Sequence, residues 1–231
     1  MAALTLAHPE ALAPRAQELL PRLAAGAWAE DFYLAGSAAL ALYTGHRPVA
    51  DLDLMSNANR LASAQRRDLL GELLAADPTT AVETARDGYL STRLAGGTVG
   101  LRLFYYPYPL VGPFEEISGL AVASAADLGL MKLGAIISRG TRRDFVDLYL
   151  LCREGPEGSD LPLARLFALA EDKFGHVRDF PLQALKGLAD LSQVEGEPMP
   201  RLAQPLDWAE VEAWVRAEVR ALGRAHVGLP A

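Results

Sequence analysis

The chain has 231 residues, 51% of them apolar, a formal net charge of −7 and one cysteine, Cys152. That length and apolar content suffice for one large domain, or a core domain with a smaller appendage. A single thiol excludes an internal disulfide framework and a thiolate metal site, leaving Cys152 to core packing, and the acidic total speaks against a surface that coats nucleic acid non-specifically.

The N-terminal MAALTLAHPE lacks the basic start and apolar run of a signal peptide, and Asp127, Lys132 and prolines cut the longest apolar segments. The sequence therefore reads as cytoplasmic, with no membrane partner. Residues 8–25 predict one or two amphipathic helices interrupted near Pro14 and Pro21, packed outside the main sheet. Residues 31–35 (DFYLA) read as a short buried strand, Gly36 and Ser37 as a turn, and residues 38–43 as a helix opening from it. The next strand lies in GHRPVADLDLMS and carries Asp51 and Asp53. A charged helix over 60–76 follows, then a β-hairpin over 89–106 around the turn AGGT, so the expected sheet is mixed.

Ser124 and Thr141 each begin an S/T-x-x-D pattern, predicting capped helices over 124–140 and 141–153. EGPEGSD, residues 154–160, is a linker by composition, and the remainder is mostly helical. The last helix, 207–226, places Val211, Trp214, Val215, Val219 and Leu222 on one stripe. The expected class is α/β (α+β): a small mixed sheet flanked by helices over 1–154, and a helical C-terminal subdomain over 155–231.

In a strand, residues two apart share a face, so Asp51 and Asp53 project together and repel unless something positive lies between them. A solvated edge strand accounts for such a pair; so does a Mg²⁺ site, which takes a few carboxylates and leaves positions for phosphate oxygens. Gly36-Ser37 at a strand-to-helix junction is a turn with an N-cap, or a phosphate cradle of free N–H groups with a hydroxyl donor. The two patterns together suit a nucleoside triphosphate. Further on, Lys132 and Arg139 share one helix face, and Asp144, Asp147 and Leu151 another. Salt-bridged surface helices explain most of this, but Asp147 sits among Phe145, Val146, Leu148, Tyr149 and Leu150. An unpaired carboxylate there is costly, so it is expected to pair with Arg143 or Lys132.

The stretch FYLAGSAALALYTGHRPVADLDLMS resembles the first motif of the AbiEii/AbiGii-type nucleotidyltransferases, and MKLGAIISRGTRRDFVDLYLL resembles that family's later K-L-x-A and R-G-x-x-R-D-x-x-D-L-Y motifs. The resemblance spans roughly residues 30 to 153. It implies a sheet of the nucleotidyltransferase type, as in DNA polymerase β, with Gly36 and Ser37 gripping an NTP and Asp51 and Asp53 holding Mg²⁺. It further implies that Lys132 contacts the triphosphate, that Arg139 and Arg143 neutralise phosphate charge, and that Asp144 acts as ligand, base or orienter. Asp147 would lock the helix pair, and His46 and Arg47, matching the family's G-H-R, would contact substrate or form a turn.

Many polymerase-β-like enzymes carry a third carboxylate on a later strand. Between Gly88 and Phe114 this chain has no Asp or Glu, and Arg102 stands in the hairpin instead. The resulting expectation is a Mg²⁺-dependent nucleotidyltransferase that moves an NMP from an NTP to RNA (tRNA included) or protein. Such an enzyme could be the toxin of a toxin–antitoxin or phage-defence module with an antitoxin partner. The alternatives are a nucleotide-binding regulatory protein with a decayed site, and an antibiotic-type enzyme acting on a small molecule.

Overall fold

A computed structural model describes residues 8–154 and 161–226. By internal contacts the chain falls into two units, Met1–Ser124 and Ala125–Ala231. The composition-based boundary at 154/155 lies inside the second unit, because helices on both sides of it pack on one another; residues 155–160 of the expected linker lie outside the described residues.

The first unit begins with a 3₁₀ turn, Pro9–Ala11, and helix α1, Pro14–Ala24. Pro14 opens α1, where its missing N–H is no loss, and Pro21 is carried inside it, so neither proline interrupts the segment as expected. Ala16, Leu19, Leu20 and Leu23 form its buried stripe, and it packs on neighbours that include α3 and β7, defined below. The strands are β1 (Tyr33–Ala35), β2 (Leu52–Ser56), β3 (Ala81–Arg86), β4 (Tyr89–Leu94), β5 (Val99–Tyr105), β6 (Glu115–Ile117) and β7 (Leu120–Val122). They form one mixed sheet in the order β3-β4-β5-β2-β1-β7-β6. Central β2 runs antiparallel to β1 and parallel to β5.

Helix α2 (Gly36–Thr44) joins β1 toward β2, and α3 (Ser63–Ala76) follows β2. Residues Ala38 to Tyr43 of α2 are all buried, and the Tyr43 hydroxyl donates to the Ala123 carbonyl at 3.1 Å, tying α2 to the end of β7. Gly45 stops the helix in the left-handed region, φ 62°, with its N–H on the Ala41 carbonyl. The glycine of G-H-R is thus a helix terminator. The predicted hairpin is β4–β5, joined through a 3₁₀ turn at Ala95–Gly97.

The second unit contains α4 (Ala125–Ser138), α5 (Arg142–Glu154), α6 (Leu163–Phe174), α7 (Phe180–Ala189) and α8 (Trp208–His226). Helix α4 packs on α5, α6 and α7, while α8 packs on α5 and α7. At the end of α4 the N–H groups of Arg139 and Gly140 both reach the Ala135 carbonyl, with Gly140 at φ 53°. On α8, Val211 and Val215 are buried while Trp214, Val219 and Leu222 are half-buried, following the predicted stripe. Among the described residues, no helix is long and apolar enough to cross a membrane.

Candidate active site

Alternation along β2 sorts its side chains. Leu52, Leu54 and Ser56 are buried, whereas Asp53 and Met55, together with Asp51 just before the strand, are half-buried on the opposite side. Ala35 of β1 stands across from Asp53, and the next residue, Gly36, opens α2 at φ 62°. A Cβ at Gly36 would lie 2.5 Å from Asp53 Oδ2, so only glycine lets the helix start approach the carboxylate this closely. Ser37, the second residue of α2, is half-buried.

The positive charge between the acids comes from neighbouring strands. Arg102 of β5 pairs in register with Asp53, its Nε 2.7 Å from Asp53 Oδ1. Asp51 Oδ1 accepts the Gly100 N–H at 3.0 Å and lies 3.4 Å from Arg93 Nη1. Arg93 Nε in turn donates to Glu83 Oε1 at 2.8 Å, and the Ser91 hydroxyl donates to Glu83 Oε2 at 2.8 Å. The hydrogen bond from Arg93, then that from Ser91, hold the Glu83 carboxyl below its ordinary range. Glu83 is the residue the sequence reading missed. Ala81 of β3 pairs with Arg93, so Glu83, two residues on and at the register shift between Val82 and Thr84, lies on the face of Ser91 and Arg93. A third acid therefore does join the network, from β3 and not from the hairpin.

In the second unit, Lys132 Nζ donates to Asp147 Oδ2 at 2.6 Å and to Asp144 Oδ1 at 3.1 Å, one of the two pairings expected for Asp147. Arg139 makes a two-pronged contact with Asp144, Nε to Oδ2 at 2.9 Å and Nη2 to Oδ1 at 2.8 Å. Thr141 donates its hydroxyl to Asp144 Oδ2 at 2.7 Å, so its oxygen serves the carboxylate directly. Burial pushes the Asp144 carboxyl upward, but the Arg139 hydrogen bonds, the Lys132 charge and Thr141 outweigh it and hold it at about 2. Both carboxylates are fully buried and Lys132 is buried with them, while the Arg139 side chain is 62% exposed. Arg143 is exposed and outside these bonds.

His46 and Arg47 are both buried, and His46 Nδ1 is 2.5 Å from Thr44 Oγ1, which suits the turn role. Burial first, and the Glu218 charge second, push the Cys152 thiol up to about 12, removing it as a nucleophile at neutral pH. The expected site residues thus form two groups: Gly36, Ser37, Asp51 and Asp53 in the first unit, and Lys132, Arg139, Asp144 and Asp147 in the second.

The first group fits a hard divalent cation. Its donors are two carboxylates on one strand face, beside a helix start where a Cβ would fill the space at Asp53. Mg²⁺ is commonly held by one or two carboxylates, with phosphate and water completing its shell.

Residues 18–213 match the sequence profile of the family described as "Nucleotidyl transferase AbiEii toxin, Type IV TA system". An uncharacterized protein of Aquifex aeolicus, aq_aa25, is 28% identical over 210 residues, covering 88% of this chain and 94% of its own. The fold is similar to the crystal structure of a Helicobacter pylori protein provisionally described as a nucleotidyltransferase, with a TM-score of 0.53, 19% identity and full coverage of both chains. JHP933 from Helicobacter pylori is 16% identical at a TM-score of 0.46, covering 93% of this chain and 99% of its own. Residues 18–213 include both motifs and most of each unit, and the mixed sheet with its helical C-terminal part is a nucleotidyltransferase fold.

Proposed function

Because the chain belongs to the AbiEii family of nucleotidyltransferase toxins, we propose that it moves a nucleoside monophosphate from a magnesium-bound NTP to a hydroxyl of RNA or protein, releasing pyrophosphate, at Asp51 and Asp53. The observation that carries this is the carboxylate pair on one face at the start of β2, Asp51 just before it and Asp53 within it, beside the glycine that opens α2. An antitoxin partner and a cytoplasmic setting belong to the same proposal, since the family description refers to type IV toxin–antitoxin systems.

Asp51 and Asp53 would hold Mg²⁺, which when bound supplies charge neutralisation for the triphosphate. The N–H groups at the start of α2, with the Ser37 hydroxyl, cradle phosphate oxygens where the helix dipole favours negative charge. The acceptor oxygen attacks the α-phosphorus and forms the new P–O bond as the bond to pyrophosphate breaks. The acceptor proton leaves to solvent. Positioning and electrostatics provide most of the acceleration.

The resemblance of the second motif assigns Arg139 and Arg143 to phosphate charge. Lys132, whose amine is committed to Asp144 and Asp147, serves instead to hold those carboxylates together. Of the three roles expected for Asp144, orienter fits best: a carboxylate with a pKa of about 2 and both oxygens occupied is a weak base, and it fixes the Arg139 guanidinium.

Incubation with each α-labelled NTP, Mg²⁺, total RNA and a protein extract should place label in one macromolecular fraction. Asp51→Ala and Asp53→Ala should lower transfer by roughly 10²-fold or more with little change in melting. Full transfer by either variant would contradict the assignment.

A further inference from the structure

The acid pair already has cations. Arg102 and Arg93 approach Asp53 and Asp51 from the adjoining strands, with 40% and 41% of their side chains exposed, so neither is locked into a core. Their surroundings differ. Arg93 is held by Glu83, itself fixed by Ser91, and keeps an acceptor whatever happens at Asp51. Arg102 has its ion pair with Asp53, at 2.7 Å.

We propose that Arg102 is an exchangeable counter-ion: it occupies Asp53 in the empty site and passes to a triphosphate oxygen when a divalent cation takes its place. This rests on the assignment of Asp51 and Asp53 to that cation. The exchange follows from charge balance. Three carboxylates (Asp51, Asp53, Glu83) and two guanidiniums give this face one net negative charge. A divalent ion arriving alone must displace a guanidinium whose other nearby anion, Glu83, is already hydrogen-bonded by Arg93 and Ser91. Arriving with a triphosphate, it displaces Arg102 onto a better acceptor, since guanidinium binds phosphate oxygens through its planar fork. Metal and nucleotide therefore enter together, and Arg102 is the element that couples them. The position opposite Asp53 holds a guanidinium because it works on the nucleotide, and no acid is required there.

The test measures Mn²⁺ binding to the full-length protein by titration calorimetry, alone and with the α,β-methylene analogue of each NTP. It compares wild type with Arg102→Met and Arg102→Gln, two neutral replacements, of which the half-exposed site should accept at least one. Wild type should bind Mn²⁺ weakly alone, and both variants should bind it about tenfold more tightly, while their affinity for the analogue falls about tenfold. Nucleotide-free Mn²⁺ binding that is unchanged or weaker in folded variants, or unchanged analogue affinity, would overturn the exchange and leave the carboxylate assignment standing. Absence of Mn²⁺ binding to wild type even with analogue would overturn the carboxylate assignment itself, and the exchange with it.

Discussion

A methyl group added at Gly36 would lie 2.5 Å from Asp53 Oδ2, on a backbone at φ 62°. Gly36→Ala should therefore cost about 1–3 kcal/mol in urea unfolding, from backbone strain and displacement of the carboxylate. It should also lower transfer, although alanine carries no charge. Asp144 gives a second residue-level expectation. Its folded pKa of about 2 lies below the ordinary 3.8, so it contributes stability above about pH 4 that is lost as pH falls from about 4 to about 2. For this fully buried group the contribution is on the order of 2 kcal/mol. Asp144→Asn should lose that amount at pH 7 and flatten acid unfolding in that window; an unchanged acid-unfolding curve would contradict the assignment. At this scale much was legible. A period of two was enough to put Asp51 and Asp53 on one face, and apolar neighbours were enough to demand a partner for Asp147. Glu83 was not legible, because the fully exposed β3 has no apolar alternation to mark it as the strand that sets Glu83 beside Arg93.

The helix–turn–helix of α4 and α5 could be read from its S/T-x-x-D starts and Gly140, since helix ends are set locally. Strands β3, β6 and β7 could not. Every residue of β3 is exposed, leaving no apolar alternation, and the three-residue β6 and β7 are defined by pairing across a turn with positive φ at Ser118 and Gly119. Nor does sequence reveal that Asp127 of α4 is paired with Lys173 of α6, both fully buried, at 2.7 Å. Burial lowers the Lys173 pKa, and the hydrogen bond and charge of Asp127 oppose that shift. Lys173→Met should destabilise by about 3–5 kcal/mol, because it leaves Asp127 buried without this charge partner, whereas Asp127→Leu with Lys173→Met should recover most of the loss. Urea midpoints of the single and double variants check this; a double variant as unstable as the single would show that packing, not charge, sets the cost.

Over the whole chain, composition excluded disulfide scaffolding, and the match over residues 18–213 identifies the family across both units. The net charge of −7 carries less meaning than its distribution. On the β2 face the acids are closely met by arginines, and in the helical unit two buried carboxylates are met by Lys132 and Arg139. Division of the chain at 124/125 was not legible because the linker-like stretch at 154–160 is the stronger compositional signal, while packing partners decide where a unit ends. On the proposed assignment, Asp51 and Asp53 jointly hold the divalent ion of a bound nucleotide. Anomalous diffraction from crystals grown with Mn²⁺ and a non-hydrolysable NTP analogue tests it most directly. A manganese peak about 2.1 Å from a carboxylate oxygen of both residues is the predicted result; a bound nucleotide whose manganese touches neither residue would contradict it.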